Sequence, residues 1–501
     1  MEIMADKDEK TYRRLKAAIK NHPEGCTVAD LVGRTALPVE KVKELLPAAA
    51  SEFSARIRVT ESGEILYNFP KHLKSKYTGF GVTLRRVAEA VNHGVQKAAV
   101  FLFKAWIMVM LVGYFALFML IAIAAMLLSV AASASNNNER RDSGGGLYLF
   151  SGILNMIIRI WFYSELTRSL NQNYYGYGAR QQRARPKGKP LYKAIFSFVF
   201  GDGDINADIE TREKQAFIAY VQANNGVISL PEFMTITGLP PARADEKIVA
   251  YCAQFGGSPE ATEDGTVAYT FDQLLPRADR TDTSYAAFSA PLKRLGAFSS
   301  NPKKLNIWFG VINSVNLLFG GYFFYHTFKV GHILSREAFN ASPAIYRFTY
   351  QIFHLIAPGI DPLPVLTYGL GAVPLVFSVL FWIIPAIRWR VVQKENERVK
   401  MANLRKAGYK AIVDKRLEVR PSDIRVQAAE CTPKNLNAAK EQVLKEIGCY
   451  AVPELAVDEA GETVYTFTSL DRELAATARY RAAHKDNSAL GGIVFDTAAA
   501  P

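Results

Sequence analysis

The sequence predicts an α-helical membrane protein with four transmembrane helices and three small α+β winged-helix-like modules on the cytoplasmic side. Three observations predict it. Hydrophobic runs long enough to cross a bilayer alternate with segments of mixed polarity, so the 49% apolar and 21% charged composition averages two kinds of region. A short phrase recurs three times between those runs, as Gly63, Tyr67 and Phe69, as Gly265, Tyr269 and Phe271, and as Gly461, Tyr465 and Phe467. The excess lysine and arginine behind the net charge of +13 gathers beside the hydrophobic runs, where it meets anionic lipid headgroups and sets topology. A chain of 501 residues is also too long for a single core.

The recurring phrase has a structural meaning. A turn Gly followed by Tyr and Phe at alternate positions puts both rings on one face of a strand, as in the hairpin of a winged helix. Acidic residues precede each turn: Glu61, then Glu263 and Asp264, then Asp458 and Glu459. Each phrase closes a segment of one plan, namely a helix, a short β-favouring stretch, two further helices and the hairpin. In the first module, residues 8–70, Tyr12, Leu15, Ala18 and Ile19 form a helical stripe, Thr27 opens the second helix and Pro38 the third. Residues 71–99 are a basic amphipathic linker suited to a membrane surface. The first transmembrane hairpin, 100–163, has spans at 100–132 and 147–163, joined by an Asn- and Gly-rich connection. A basic juxtamembrane linker occupies 164–207, the second module 208–275 and a polar linker 276–304. The second transmembrane hairpin, 305–387, has spans at 305–328 and 365–387 around an extracytoplasmic loop, 329–364, with an aromatic amphipathic portion (Ile345, Phe348, Ile352, Phe353). A basic linker, 388–404, leads into the third module, 405–470. The Ala-rich tail, 476–501, is expected to be disordered apart from a docking segment at 490–495. Gly113-Tyr114-Phe115 and Gly321-Tyr322-Phe323 echo each other, as if module and span pair were duplicated together.

Basic residues crowd the segments after the second and fourth spans and are few in the opposite loops, so both termini and all three modules are expected in the cytoplasm. The N-terminal stretch has acidic residues and no apolar core, which argues against a secretory signal or transit peptide. Cys26, Cys252, Cys431 and Cys449 lack a C-x-x-C spacing and a neighbouring His, and read as reduced thiols.

No catalytic set and no cofactor motif is present in the sequence: the seven histidines are isolated, and no metalloprotease, nucleophile-elbow or P-loop signature occurs. Asp202, Asp204, Asn206 and Glu213 fall at positions 1, 3, 5 and 12 of a calcium loop, but Ala207 stands where that loop turns on Gly, and Asp208 reads better as the cap of the next helix. Asn155, Arg159, Asn313 and Asn316 are the strongly polar groups within spans. Arg159 lies about one turn from the basic flank and can snorkel, and the asparagines suit interhelical hydrogen bonds. A duplex-reading module needs cations along its third helix and hairpin. Here the hairpins are acidic and the third helices mixed: Glu40, Lys41, Lys43 and Glu44; Arg243, Asp245, Glu246 and Lys247; Lys434, Lys440 and Lys445 against Glu441 and Glu446.

Two further phrases, Phe198-Val199-Phe200-Gly201-Asp202-Gly203-Asp204 and Phe255-Gly256-Gly257-Ser258-Pro259-Glu260, resemble an uncharacterised family of multi-pass membrane proteins in cyanobacteria and chloroplasts. The resemblance covers chiefly residues 191–275. It implies a bacterial inner membrane or a plastid-type membrane and no established activity, so no functional residue carries over. The expected function is non-enzymatic: a membrane-anchored scaffold or assembly protein whose modules bind a cytoplasmic protein or a second copy of the chain. The alternatives are a membrane-bound nucleic-acid-binding regulator and a small-solute transporter or channel.

Overall fold

Among the described residues helix dominates, as the apolar runs and 3.6-residue stripes require, and strands are confined to pieces of two to five residues. The computed structural model describes residues 6–20, 25–74, 76, 80–135, 189–278, 290–333, 339–426, 428–459, 461–485 and 487–498. The expected second span, 147–163, with Asn155 and Arg159, lies outside the described residues. Two units are compact in themselves, one from residues 90–203 and 297–391, the other from 1–89, 204–296 and 392–501.

The first of these units is apolar. Helix α4 (Phe80–Met108) passes through a π-helical turn, Val109–Gly113, into α5 (Tyr114–Ser135). Then come α6 (Leu191–Phe200), α10 (Lys303–Ile333), α11 (Ala344–Ile356), a π-helical stretch at Val365–Ala372 and the start of α12 (Val373–Lys415). Among the described residues three helical runs are long and apolar enough to cross a membrane: Gly94–Leu128, Lys303–Lys329 and Pro362–Lys415, with mean hydropathy 2.7, 1.4 and 2.3. Phe118 of α5 stacks on Phe319 and Phe323 of α10 with ring centroids 5.2 and 6.0 Å apart. Where α10 meets the π-helical stretch, glycines permit close backbone approach, since a Cβ on Gly371 would stand 3.0 Å from Phe324 Cα and one on Gly320 3.0 Å from Leu375 N. The Gly-Tyr-Phe echo does not repeat a structure. Gly113 closes a π turn and Gly321 lies inside a regular α-helix.

The other unit holds three helix-and-hairpin segments. The first is α1 (Asp6–Lys20), α2 (Val28–Thr35), α3 (Val39–Phe53), β1 (Arg56–Thr60) and β2 (Ile65–Asn68). The second is α7 (Ile209–Ala223), β3 (Val227–Ile228), α8 (Leu230–Thr237), α9 (Pro241–Phe255), β4 (Ser258–Ala261) and β5 (Val267–Thr270). The third uses the last turns of α12, then β6 (Glu418–Val419), α13 (Leu436–Gly448), β7 (Glu454–Val457) and β8 (Thr463–Thr466). The chain continues as α14 (Thr468–Ala483) and β9 (Ile493–Asp496).

Local chemistry explains these elements. Thr27 with Asp30, and Ser229 with Glu232, close reciprocal capping boxes that start α2 and α8. The third segment departs from the expected plan. Arg420 stands where the others have Thr27 and Ser229, and a guanidinium has no acceptor to offer, so only a 3₁₀ turn, Pro421–Asp423, forms in place of a second helix. Gly63, Gly265 and Gly461 turn the hairpins at φ of 83°, 76° and 77°, in the left-handed region that favours Gly. Each following Tyr pairs with the short stretch before the second helix: Tyr67 with Cys26, Tyr269 with Ile228, Tyr465 with Val419.

Two boundaries differ from those expected. α12 runs unbroken from Val373 to Lys415, so no separate linker exists at 388–404. The tail is ordered over much of its length: residues 476–483 belong to α14, and β9 pairs with β1, giving sheet orders β2-β1-β9, β3-β5-β4 and β6-β8-β7. The segments share one core. α2 packs on α7, α3 on α9, and α14 on β3 and β5. Gln215 Nε2 donates to the Arg34 carbonyl at 2.5 Å, Thr27 Oγ1 to that of Pro276 at 2.8 Å, and Asn225 Nδ2 to that of His484 at 2.8 Å.

Candidate interaction surface

The nine residues of the recurring phrase are structural. Tyr67, Phe69, Tyr269, Phe271, Tyr465 and Phe467 are all buried, and the three glycines have open space around them. What differs among the hairpins is the outer edge. β1, β4 and β7 pair with their partners in the same register, Ile57 opposite Tyr67, Pro259 opposite Tyr269 and Leu455 opposite Tyr465. Thr60, Thr262 and Asp458 donate their N–H groups inward, to Glu64, Thr266 and Glu462. Backbone groups alternate along an antiparallel strand, so Ile57 and Val59, Pro259 and Ala261, and Leu455 and Val457 present theirs outward.

Each edge is then treated differently. On the first, β9 pairs Arg58 with Asp496 and Val59 with Phe495, Ile57 and Thr497 exchange two hydrogen bonds at 3.0 Å, and Arg56 grips Asp496 at 2.5 and 2.7 Å. Gly491, at φ 71°, lets the tail run past Glu61, whose Oε2 would be 2.6 Å from a Cβ there. On the second, Pro259 has no N–H to offer at one of the outward positions. On the third, no strand lies beyond β7 among the described residues, and Leu455 and Val457 are 65% and 71% exposed beside Val452 at 82%.

Part of the positive charge on the helix faces is paired. Lys43 pairs with Glu40 at 3.1 Å and Lys41 with Glu44 at 3.0 Å on α3, and Lys445 with Glu441 at 3.6 Å on α13. Lys43 also donates to Gln273 of the second segment at 3.0 Å. Asp264, in the acidic turn of the second hairpin, is ion-paired with Arg479 of α14.

The calcium-loop residues each already have protein partners. Although burial pushes the Asp202 carboxyl up, hydrogen bonds from Lys189, Ser300 and Ser197 hold it well below the usual carboxylate range. Asp204 accepts from the Asn206 N–H at 2.8 Å, and the Asn206 side chain exchanges hydrogen bonds of 2.8 and 2.9 Å with the Arg294 backbone. Glu213 is buried against Lys406 at 2.9 Å and Lys247 at 3.3 Å. Asp208 occupies the cap position of α7 without a capping bond and pairs instead with Arg212 at 3.2 Å. No cluster of three His, Cys, Asp or Glu able to hold a metal occurs among the described residues. Asn313 Nδ2 donates to the Ser378 carbonyl at 2.9 Å, and Asn316 Nδ2 to the Leu111 carbonyl at 2.8 Å, where the π turn loosens the helical ladder. Cys26, Cys252 and Cys431 are buried, and burial pushes the Cys26 thiol up to about 12.

Several polar contacts had no local signal, because their partners are distant in sequence: Lys406 with Glu213, Arg481 with Glu232 at 2.8 Å, and Tyr450 Oη with both Glu473 oxygens at 2.9 Å. A cavity of about 320 Å³ beside Lys406 is lined by Tyr220, Asn403 and Cys431. Its central polar groups are already bonded, Asn403 to the Lys293 and Glu430 carbonyls and Lys406 to Glu213 and the Pro291 carbonyl.

The chain is similar to a chloroplastic protein of Arabidopsis thaliana, itself described as uncharacterised, with 25% identity over 405 residues covering 78% of this chain and 70% of that protein. The likeness thus extends well beyond residues 191–275 and fits a plant and cyanobacterial family. No protein-family model matches the chain, and no solved structure matches it.

Proposed function

We propose that this chain is a membrane-anchored scaffold that recruits a protein partner through the open edge of its third hairpin. In this reading each helix-and-hairpin segment is a winged-helix-like module, two span pairs anchor the chain in a plastid-type or bacterial inner membrane, and the modules and both termini face the cytoplasmic or equivalent side. The observation that carries it is the contrast among the three edges. A strand edge with unpaired N–H and C=O groups and exposed Leu and Val is a template for an added strand, and folded proteins ordinarily cover or block such edges. Among the described residues this chain does so at β1 and β4 and not at β7. Nucleic-acid binding gains little from the same surfaces, because Lys41 and Lys43 of α3 and Lys445 of α13 are each matched by a glutamate one turn away.

The test is a photo-crosslinking residue placed at Leu455, and for comparison at Pro259, in cells of the source organism, followed by purification in detergent. A protein or a second copy captured from position 455 and not from 259 is expected. A chain that purifies as an uncrosslinked monomer from both positions would sink the proposal.

A further inference from the structure

We propose that the β7 edge selects an extended, apolar segment of a partner that carries a lysine or arginine where the chain's own tail carries Asp496. The inference rests on the scaffold reading above. The first hairpin shows what such an edge accepts: an antiparallel strand, apolar at Ile493 and Phe495, whose acid Asp496 is held by Arg56. The shared register gives the matching position on the third hairpin, since Arg56 lies opposite Asn68 and Glu454 opposite Thr466, each one residue beyond the pairing of the recurrent Tyr. Charge is therefore reversed at the residue that grips the incoming strand. Glu418 lies opposite the same Thr466 from the other side, so two acids flank one row of the sheet. An Asp-bearing strand like β9 would meet repulsion there, and a base would meet attraction. Between the acid and the turn, Leu455, Ala456 and Val457 offer exposed apolar side chains and no proline, which suits β-branched or aromatic residues at alternate positions of the partner.

The experiment uses the full chain in nanodiscs and two fluorescent peptides, one with the sequence of residues 489–498 and one identical except for Asp496→Lys. Leu455→Pro defines binding at this edge, because the second hairpin folds with Pro259 at the same register. Expected is Leu455→Pro-sensitive binding of the Lys peptide about five-fold or more tighter than the Asp peptide at low ionic strength, with the preference shrinking as salt rises. Glu454→Lys should reverse the order. Equal affinities, a preference unchanged by Glu454→Lys, or no Leu455→Pro-sensitive binding of either peptide would each overturn the inference. If peptides fail while crosslinking from position 455 still captures a protein, the partner chemistry is wrong and the scaffold stands; if both fail, both readings fall.

Discussion

Lys406 offers a sharp test of how the helix-and-hairpin unit is held together. It is 3% exposed, its Nζ lies 2.9 Å from Glu213 Oε1 and 2.7 Å from the Pro291 carbonyl, and it joins α12 to α7 across almost 200 residues of sequence. Burial pulls its ammonium below the ordinary lysine range, and Glu213 opposes that by stabilising the charge. Lys406→Met leaves a buried carboxylate with only Lys247, at 3.3 Å, and strands the Pro291 carbonyl. Removing one member of a buried pair costs about 3–5 kcal/mol. Lys247 reaches Glu213 from a partly exposed position, so the cost here should sit near the lower end, about 3 kcal/mol. Glu213→Met should cost about the same, since it leaves the Lys406 ammonium buried with a single carbonyl. The double substitution removes both charges and should cost no more than about 4 kcal/mol, a coupling of at least about 2 kcal/mol. All five tryptophans (Trp106, Trp161, Trp308, Trp382, Trp389) lie outside this unit, so pulse proteolysis in urea, following cleavage within 204–278, is a better assay than fluorescence. Additive single and double costs would refute the claim that these charges act as one buried pair.

Other outcomes can be checked in the same way. Deleting residues 487–501 removes β9 and opens the first hairpin's edge, so the truncated chain should self-associate more strongly in size-exclusion runs, and an unchanged profile would count against β9 as a cover. Gly257→Ala should cost about 2–3 kcal/mol, because its Cβ would lie 2.3 Å from Phe271 Cε1 and 2.8 Å from the Thr270 carbonyl; Gly63→Ala, with nothing within 4 Å, should cost only the left-handed strain of about 1 kcal/mol. Asn316→Leu should lower membrane-unit stability by about 0.6 kcal/mol and by no more than about 1.7 kcal/mol, measured by unfolding in mild detergent.

Legibility followed the range of the interactions. The turn glycines, the capping residues Thr27 and Ser229 and the apolar runs are local signals, and among the described residues the elements they mark appear where the residues place them, the run at 147–163 lying outside those residues. The resembling phrases also have local causes: Gly256 ends α9 at φ 68°, Gly257 lies beneath the Phe271 ring, and Gly201 ends α6 at φ 87°. The π turns left no trace, because one widened turn barely disturbs a uniformly apolar run. In the tail, the docking segment expected at 490–495 contains most of β9, although Ile493, Val494 and Phe495 are too few to fold alone and acquire a conformation only from β1, some 435 residues earlier; the helical order of residues 476–483 left no comparable signal. The three outer edges were likewise invisible, since Pro259 and Glu454 acquire meaning only once Tyr67, Tyr269 and Tyr465 fix a common register.

Glu473 shows how the same long-range assembly makes stability respond to pH. It projects from α14 into the core, where burial first and then the charge of Glu232 push its carboxyl up to about 7, against hydrogen bonds from Tyr450 that pull it down. The folded value lies above the ordinary 4.5, so the folded state holds a proton that the unfolded chain has already released between those values. Stability therefore falls as pH rises from 4.5 through about 7, and the loss is complete above that window. At about 1.36 kcal/mol per pH unit, the interval from 4.5 to about 7 bounds the loss at about 3 kcal/mol. Arg481 offsets part of the repulsion by neutralising Glu232, so the measured loss should be smaller. Glu473→Gln keeps the shape and an acceptor for Tyr450 but cannot ionise, so it should flatten the slope between pH 5 and 8 and stabilise the unit at pH 8. If thermal unfolding of the wild-type chain and of Glu473→Gln showed the same pH slope, the buried carboxyl would not be the titrating group, and the docking of α14 on the second hairpin would need another account of its pH response.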